Sequence, residues 1–299
     1  MNPVLLFLTV MRERFAAEAI PRQPEPEVMV EPEQVRAYAA VATRDPIMSA
    51  SYSYQAASIT RTLWGAETVL DLGCGPGLQL AEIAQLNPAS DLCGVDLSEA
   101  MLELARQEIV QRRLPNVRFE QTDITKLETF ADDSFDAVIS SMALHQLPSL
   151  EAVSNCLAQA ARVLKPGGAV HLFDFGRPKR LRSMLDFAYR LGWNSTTIFA
   201  DELAVYKRFK DDYFNSLWAA FTPEELKKVC RLRLPAACRF ITSAPIPMLC
   251  VVKTPARTVP DTVLSQIRRV RSGLTKPIRG ELDGIRRFLQ MGGVEDPFR

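Results

Sequence analysis

Apolar residues along positions 68–174 follow two alternating patterns. Five short runs rich in β-branched residues and leucine predict strands. They cover residues 68–72, 92–96, 117–121, 135–140 and 170–174. Between them, apolar residues recur at three- and four-residue steps over 78–86, 99–111 and 150–164, which predicts helices with one apolar face. Strands that alternate with helices in this way predict an α/β fold built on a mainly parallel sheet.

A glycine-rich turn joins the first predicted strand to the first predicted helix. Gly73, Gly75 and Gly77 have the spacing G-x-G-x-G, and Asp71 comes just before them. Glycine can adopt positive φ there and lets a ligand approach the backbone, while the following helix N-terminus attracts a negative group. Dinucleotide sites use G-x-G-x-x-G instead, and the Asp71 carboxylate would repel a pyrophosphate. The turn therefore argues against a nicotinamide oxidoreductase and favours a nucleotide-like ligand that carries an ammonium group.

A second acid follows at the distance that a doubly wound fold requires. Asp96 ends the second predicted strand, 19 residues after Gly77, which is where such folds bond a ribose. With the later strands in order, and a Leu-Lys-Pro-Gly-Gly turn at 164–168, the chain resembles the class I S-adenosylmethionine-dependent methyltransferases with a type 11/25-like domain. The resemblance implies S-adenosylmethionine as cofactor, S-adenosylhomocysteine as product and no metal.

The resemblance also implies a set of cofactor-binding residues. Asp96 would bond the ribose, Leu97 and Met101 would lie beside the adenine, and Asp123 would bond the adenine amino group. The full expected set is Asp71, Gly73, Cys74, Gly75, Gly77, Asp96, Leu97, Met101, Asp123, Ile124 and Ser140.

The same resemblance fixes the expected architecture. It implies a Rossmann-like, doubly wound sheet of seven strands, six parallel and one antiparallel, with helices on both faces. The last two strands would be residues 239–242 and 248–252, after a helix that starts at Thr222-Pro223. We expect a helix and proline-rich linker over 1–32, a methyltransferase domain over 33–254 with its core at 60–176, and a helical tail over 255–299.

Residues 177–221 depart from a minimal domain, since only a helix is needed between the fifth and sixth strands. This insertion holds ten of the chain's 24 aromatic residues. It follows a strand whose carboxyl end borders the ligand crevice. We expect a helical lid over the acceptor, with Tyr206 and Tyr213 among its lining residues. A hydrophobic mini-core or a dimer surface is the alternative.

Three further residues are candidates for contact with the acceptor. His145 follows the fourth predicted strand and titrates near neutral pH, so it is the candidate general base, with a purely pocket-shaping role as the alternative. Asp174, at the end of the fifth strand, would contact the acceptor or stabilise a turn. Tyr54 lies in the helical cover over residues 33–63. His171, inside the fifth strand, is expected to be structural.

Charge and cysteine usage narrow the function classes. A net charge of +1 gives no overall attraction to nucleic acid or membrane. The six cysteines include no C-x-x-C pair, and with two histidines they provide no usual zinc spacing, so we expect reduced thiols in a cytoplasmic protein. The apolar segment 3–11 is too short to span a bilayer. We expect it to pack on the body or on a second subunit.

The sequence therefore predicts direct, in-line methyl transfer from S-adenosylmethionine to a small organic acceptor, as in secondary metabolism. The tail leaves an alternative open, because seven basic residues over 266–287 could dock RNA or a peptide substrate. A non-catalytic cofactor-binding scaffold is a further alternative.

Overall fold

The computed structural model describes residues 3–25, 32–191 and 203–299, and its centre is one seven-stranded sheet. The strands lie in the order β3-β2-β1-β4-β5-β7-β6. Strand β7 runs antiparallel to β5 and β6, and the other six strands share one direction. Their bounds are β1 Thr68–Leu72, β2 Asp91–Asp96, β3 Val117–Gln121, β4 Phe135–Ser141, β5 Leu164–Phe175, β6 Arg239–Thr242 and β7 Leu249–Lys253. The predicted doubly wound architecture is confirmed.

Helices cover both faces of the sheet because each presents one apolar stripe to it. Helices α3, α4 and α5 pack on one face, together with α10 and α11, whereas α6 and α9 pack on the other. The bounds of the first six helices are α1 Pro3–Arg14, α2 Pro32–Arg44, α3 Pro46–Leu63, α4 Leu78–Leu86, α5 Glu99–Arg112 and α6 Leu150–Val163. The remaining ones are α7 Leu181–Leu185, α8 Leu203–Ala219, α9 Pro223–Arg233, α10 Asp261–Gly273 and α11 Lys276–Met291. None of the helices in the described ranges has both the length and the apolar composition of a bilayer span.

The junction between α6 and β5 differs from the predicted turn. The sequence predicts a helix to residue 164 and a strand from residue 170, yet β5 begins at Leu164, directly after α6. Leu164 pairs with Phe135 of β4, and the register shifts before Ala169 pairs with Ala137. Gly167, at φ 75°, lies within this irregular part. Pairing with β4 therefore outweighs the turn tendency of Pro-Gly-Gly.

The helical insertion after β5 forms its own apolar cluster with α1. Short helix α7 continues into a π-helical turn, Asp186–Leu191, and α8 runs from Leu203 to Ala219. Phe175, Met184, Phe187 and Leu217 are buried in this cluster, and Leu6 and Val10 of α1 pack against it. The insertion residues Trp193 and Phe199 lie outside the described residues.

The tail packs back onto the domain. Leu282, Ile285 and Leu289 of α11 are buried in the same cluster as α3. Arg286 pairs with Asp283 and Asp296, and Arg271 pairs with Asp283. The tail thereby covers α3 rather than extending away from it.

Candidate active site

The glycine turn leaves free space at only one of its three positive-φ positions. A Cβ on Gly73 would lie 2.5 Å from the Cβ of Ala143, and one on Gly77 would lie 2.8 Å from the Cβ of Ala105. A Cβ on Gly75, at φ 53°, would meet no atom within 4 Å. Gly73 and Gly77 thus serve tight packing, whereas Gly75 faces an open crevice.

Hydrogen bonds fix this turn against the end of β2. The amides of Gly73 and Cys74 donate to the carbonyl of Val95 at 2.8 and 2.9 Å. The Asp96 carboxylate accepts from the amides of Gly75 and Ser98, both at 2.9 Å. The crevice therefore has a rigid rim, with the Asp96 carboxylate on it and the Cys74 side chain buried beneath.

Asp71 supplies a buried carboxylate next to this rim. Its exposed fraction is 2%, and burial together with the negative charge of Asp96 raises the pKa of Asp71 to about 7. Burying a carboxylate without a positive partner is unfavourable, and a nearby cation would restore its ionised form. The site consequently favours a ligand whose positive group lies near Asp71 and whose hydroxyl groups reach Asp96.

The expected adenine side is apolar but unevenly exposed. Leu97 is 50% exposed, Met101 is buried, and Ile124 packs against the core on the α6 side. Asp123 accepts from the amide and hydroxyl of Thr125, at 2.8 and 2.7 Å, so one of its oxygens stabilises a turn. Burial opposes the effect, yet these bonds and Lys126 lower the pKa of Asp123. Leu97 offers the accessible apolar surface, and the adenine contact of Asp123 stays a prediction.

Ser140 and its neighbour Ser141 lie on opposite faces of β4, and the cofactor contact of Ser140 stays a prediction. Its hydroxyl is buried and donates to the carbonyl of Leu72 at 2.8 Å. Side chains alternate along a strand, and Asp71 pairs with Ile139, so Ser141 rather than Ser140 shares the face of Asp71. The Ser141 hydroxyl is buried and has no hydrogen-bond partner within the described structure.

His145 and Asp174 form a buried pair at the carboxyl ends of β4 and β5. His145 lies in a short 3₁₀ turn, Leu144–Gln146, and its Nδ1 is 2.6 Å from Asp174 Oδ1. The His145 amide also donates to Asp174 Oδ2, at 3.2 Å. With the Nδ1 proton directed to the carboxylate, Nε2 carries the lone pair that can accept a proton.

This pairing favours the turn-stabilising alternative for Asp174 and gives His145 its basicity. Asp174 accepts from His145 and from the Phe175 amide, so its oxygens are used inside the protein rather than on an acceptor. Burial lowers the pKa of His145, but the charge and hydrogen bond of Asp174 outweigh it, and the pKa lies above its usual value. In contrast, burial lowers the pKa of His171 to about 3, and its Nδ1 contacts the Thr62 hydroxyl.

Arg22, which follows α1, holds the turn that carries His145. Arg22 donates to the carbonyls of His145, Leu147 and Pro148 at 2.6 to 2.8 Å. It also bonds the Ala219 carbonyl, and its guanidinium lies 4.0 Å from the ring centre of Phe221. The sequence predicts a linker around Arg22, since no local pattern reveals partners more than 120 positions away.

Aromatic rings connect the insertion to His145. The Phe175 ring centre lies 5.3 Å from that of His145 and 5.5 Å from that of Tyr213. Tyr213 is thus one ring away from the histidine, in a cluster that also has the packing role of the mini-core alternative. Tyr206 belongs to α8, but its side chain is outside the described part of the chain.

Tyr54 is buried in α3, its hydroxyl has no hydrogen-bond partner among the described residues, and its contact with the acceptor stays a prediction. It is 1% exposed and lies in the cluster formed by α3 and the tail, where its phenol feels the charges of Asp296 and Arg286. Tyr38 and Tyr52 lie closer to the crevice, because their hydroxyls bond each other and Tyr38 is within electrostatic reach of Asp96. Neither Tyr38 nor Tyr52 is among the residues that the sequence predicts for the site.

The residues present fit an adenosyl sulfonium compound. Gly75 opens on free space, Asp71 is a buried carboxylate without a strong positive neighbour, and Ser141 has a buried hydroxyl without a partner among the described residues. Asp96 has already the backbone contacts that orient it at the rim. Asp71 suits an ammonium group, Ser141 suits a polar tail, and Asp96 suits a ribose.

Comparisons with known proteins agree with this geometry. Residues 69–168 match the family model described as a methyltransferase domain. The chain is 42% identical over 102 residues to trans-aconitate 2-methyltransferase of Deinococcus radiodurans, covering 34% of this chain and 35% of that protein. It is 34% identical over 114 residues to demethylmenaquinone methyltransferase of Tropheryma whipplei, covering 38% and 44%. These alignments span less than half of either relative.

A solved structure resembles a larger part of the chain. It is a putative S-adenosyl-L-methionine-dependent methyltransferase from Methanococcus maripaludis, with a TM-score of 0.52 at 16% identity, covering 80% of this chain and 99% of that one. At this identity the likeness concerns the fold. The domain match shows a methyltransferase domain over residues 69–168, and the chain as a whole shares the fold of this solved methyltransferase.

Proposed function

We propose that this protein transfers a methyl group from S-adenosylmethionine to a small organic acceptor that loses a proton in the reaction. The observation that carries the proposal is the position of two features at one edge of the sheet. The open glycine crevice follows β1, and the His145–Asp174 pair follows β4 and β5. Ligands of doubly wound sheets bind at this edge.

The cofactor would be held by the groups around the crevice. The ammonium group suits Asp71, the ribose hydroxyls suit Asp96, and the adenine suits the exposed side chain of Leu97. When bound, S-adenosylmethionine supplies an electrophilic methyl on a positively charged sulfur, which becomes a neutral thioether once the methyl leaves. The protein's main contribution is alignment of the acceptor with that methyl, which can lower a barrier by about 7–11 kcal/mol in favourable cases.

His145 would remove the proton that the acceptor gives up. The acceptor oxygen or nitrogen forms the bond to the methyl carbon, its proton passes to Nε2, and Asp174 stabilises the resulting imidazolium through Nδ1. The raised pKa of His145 makes it a stronger base than a free imidazole. The turn that carries it is held by Arg22. Such a base contributes about 10²–10⁴-fold to a rate.

Substitution of His145 by Gln tests this assignment. A suitable acceptor is first found by measuring S-adenosylhomocysteine formation with a panel of hydroxylated and amino compounds and a soluble hydroquinone. We then expect kcat to fall about 10²–10⁴-fold in His145→Gln, with loss of the rise in rate as pH passes the histidine pKa. Cofactor affinity should be unchanged, and the exposed neighbouring variant Gln146→Ala should keep full activity.

Two outcomes would contradict parts of the proposal. An unchanged rate and pH profile in a folded His145→Gln protein would reject the base. Absence of turnover with every acceptor, despite tight S-adenosylhomocysteine binding, would favour the scaffold alternative.

The structure does not strengthen the RNA or peptide alternative. Of the basic residues in the tail, Arg268 and Arg279 bond backbone carbonyls, and Arg271 and Arg286 pair with Asp283. Side chains engaged in the tail's own packing are less available to phosphates. A salt-dependent affinity for RNA would nevertheless revive that reading.

A further inference from the structure

Helix α1 is apolar on two opposite sides. One side packs inward, with Thr9, Glu13 and Ala16 buried and Leu6 and Val10 against the insertion cluster. A surface helix normally carries polar residues on the opposite side. Here that side carries large apolar side chains instead, so the helix has a face that packing among residues 3–25, 32–191 and 203–299 does not explain.

We define the outer face of α1 by Phe7, Leu8 and Phe15. Their exposed fractions are 61%, 51% and 73%. At 100° per residue, positions 7, 8 and 15 fall within an arc of about 100° on the helix, and the Phe15 amide continues the helical bonding by donating to the Met11 carbonyl. Three large apolar side chains on one exposed helical face mark an interaction surface rather than scattered surface hydrophobics.

Basic side chains border this outer face. By the same helical geometry, Arg14 lies on the side of Phe7 and Arg12 lies on the side of Leu8. Glu13 lies between them in sequence but points inward. Its carboxylate accepts hydrogen bonds from the amides of Lys179 and Arg180, at 2.6 and 3.2 Å.

That arrangement brings more cations to the same region. Arg180 and Arg182, next to α1 in the fold, are exposed. Some of this charge is balanced, because Arg12 and Arg182 both pair with the buried Asp186, and Glu18 is an exposed acid in the same segment. The exposed charge beside the outer face is nevertheless mainly positive.

We propose that the outer face of α1 binds the surface of an anionic lipid bilayer. An apolar helical face with basic residues at its borders is the pattern of helices that lie in the plane of a membrane interface. The phenyl and leucyl groups would enter the acyl boundary, while the arginines would contact lipid phosphates. Pairing with a second copy through the same face would bring like charges together along its borders, which disfavours that occupant. The proposal does not depend on the methyl transfer reaction.

The test is co-sedimentation of the full-length chain with lipid vesicles. We expect binding to vesicles of equimolar phosphatidylglycerol and phosphatidylcholine, and at least about tenfold weaker binding to pure phosphatidylcholine. The double variant Phe7→Ser/Leu8→Ser should lose at least about tenfold in affinity for the anionic vesicles. Arg14→Glu should weaken binding and reduce its dependence on salt.

Matched controls come from exposed apolar residues elsewhere. Val110 and Leu232 are 76% and 71% exposed, and Val110→Ser and Leu232→Ser should bind vesicles as the unmodified chain does. Circular dichroism and light scattering check that each variant is folded and report its oligomeric state. The proposal is wrong if the unmodified chain does not bind anionic vesicles, if the Phe7/Leu8 variant binds equally well, or if that variant converts a stable dimer into a monomer.

Discussion

Replacement of Gly75 by alanine separates the open crevice from the folding of its glycine turn. Gly75 has φ 53°, and an added Cβ would meet no protein atom within 4 Å. The free energy of unfolding should therefore fall only by the cost of a non-glycine residue in the left-handed region, about 1–2 kcal/mol. The affinity for an adenosyl compound should fall in addition, because the new methyl group enters the space that the compound would occupy. Forced contact of that kind costs about 1–3 kcal/mol, which corresponds to about a 5- to 150-fold loss of affinity.

Gly167 provides the matched control. It has φ 75°, and a Cβ there also meets nothing within 4 Å, but it lies in β5 away from the crevice. Gly167→Ala should show the same loss of stability in urea unfolding and no loss of S-adenosylhomocysteine affinity in calorimetry. Equal affinity of the Gly75→Ala and Gly167→Ala proteins would refute the assignment of the crevice as the cofactor site.

Three further substitutions test neighbouring parts of the site. Gly73→Ala should destabilise the fold by about 2–5 kcal/mol in urea unfolding, since left-handed strain adds to a 2.5 Å contact with Ala143; a stability equal to that of Gly75→Ala would contradict it. With the pKa of Asp71 raised to about 7, the free folded protein retains a proton between about pH 4 and 7, so its stability should fall as pH rises through that range. Affinity for S-adenosylhomocysteine should instead rise through pH 7 as the carboxylate ionises, and calorimetry on Asp71→Asn should show no such rise. Arg22→Gln should lower the free energy of unfolding by about 1.5–3 kcal/mol, because three carbonyls lose a charged donor, and an unchanged urea midpoint would show that these bonds contribute little.

Elements that depend on neighbouring residues could be read from the sequence. The bounds of α4 agree with the prediction, and Ser98 caps α5 as its position suggests. The capping box of α9 begins at Thr222, the predicted start. Strand periodicity, helix stripes, caps and glycine turns are encoded within a few positions, so they survive without knowledge of the rest of the chain. The order of these elements was enough to predict the doubly wound sheet.

The sequence did not determine to which face of the sheet a given strand side chain points. Ser140 and Ser141 are adjacent, and only the β1–β4 register shows which of them shares the face of Asp71. A shift of one residue exchanges the two faces of a strand, and register is a property of the paired strands. The sequence therefore identified the strand, whereas the choice between the two serines depends on the fold.

Contacts between distant segments were decided by the tertiary structure alone. The sequence offered His145 and Asp174 as separate candidates, and the fold joined them into one hydrogen-bonded pair. The fold also placed the tail over Tyr54 and brought Arg22 to the turn of His145. Such contacts depend on how whole faces of helices and strands bury apolar area against one another, which no local pattern records. The sequence by itself thus determined the kind of fold and the position of the glycine turn, whereas the packing of distant elements decided which side chains can act together.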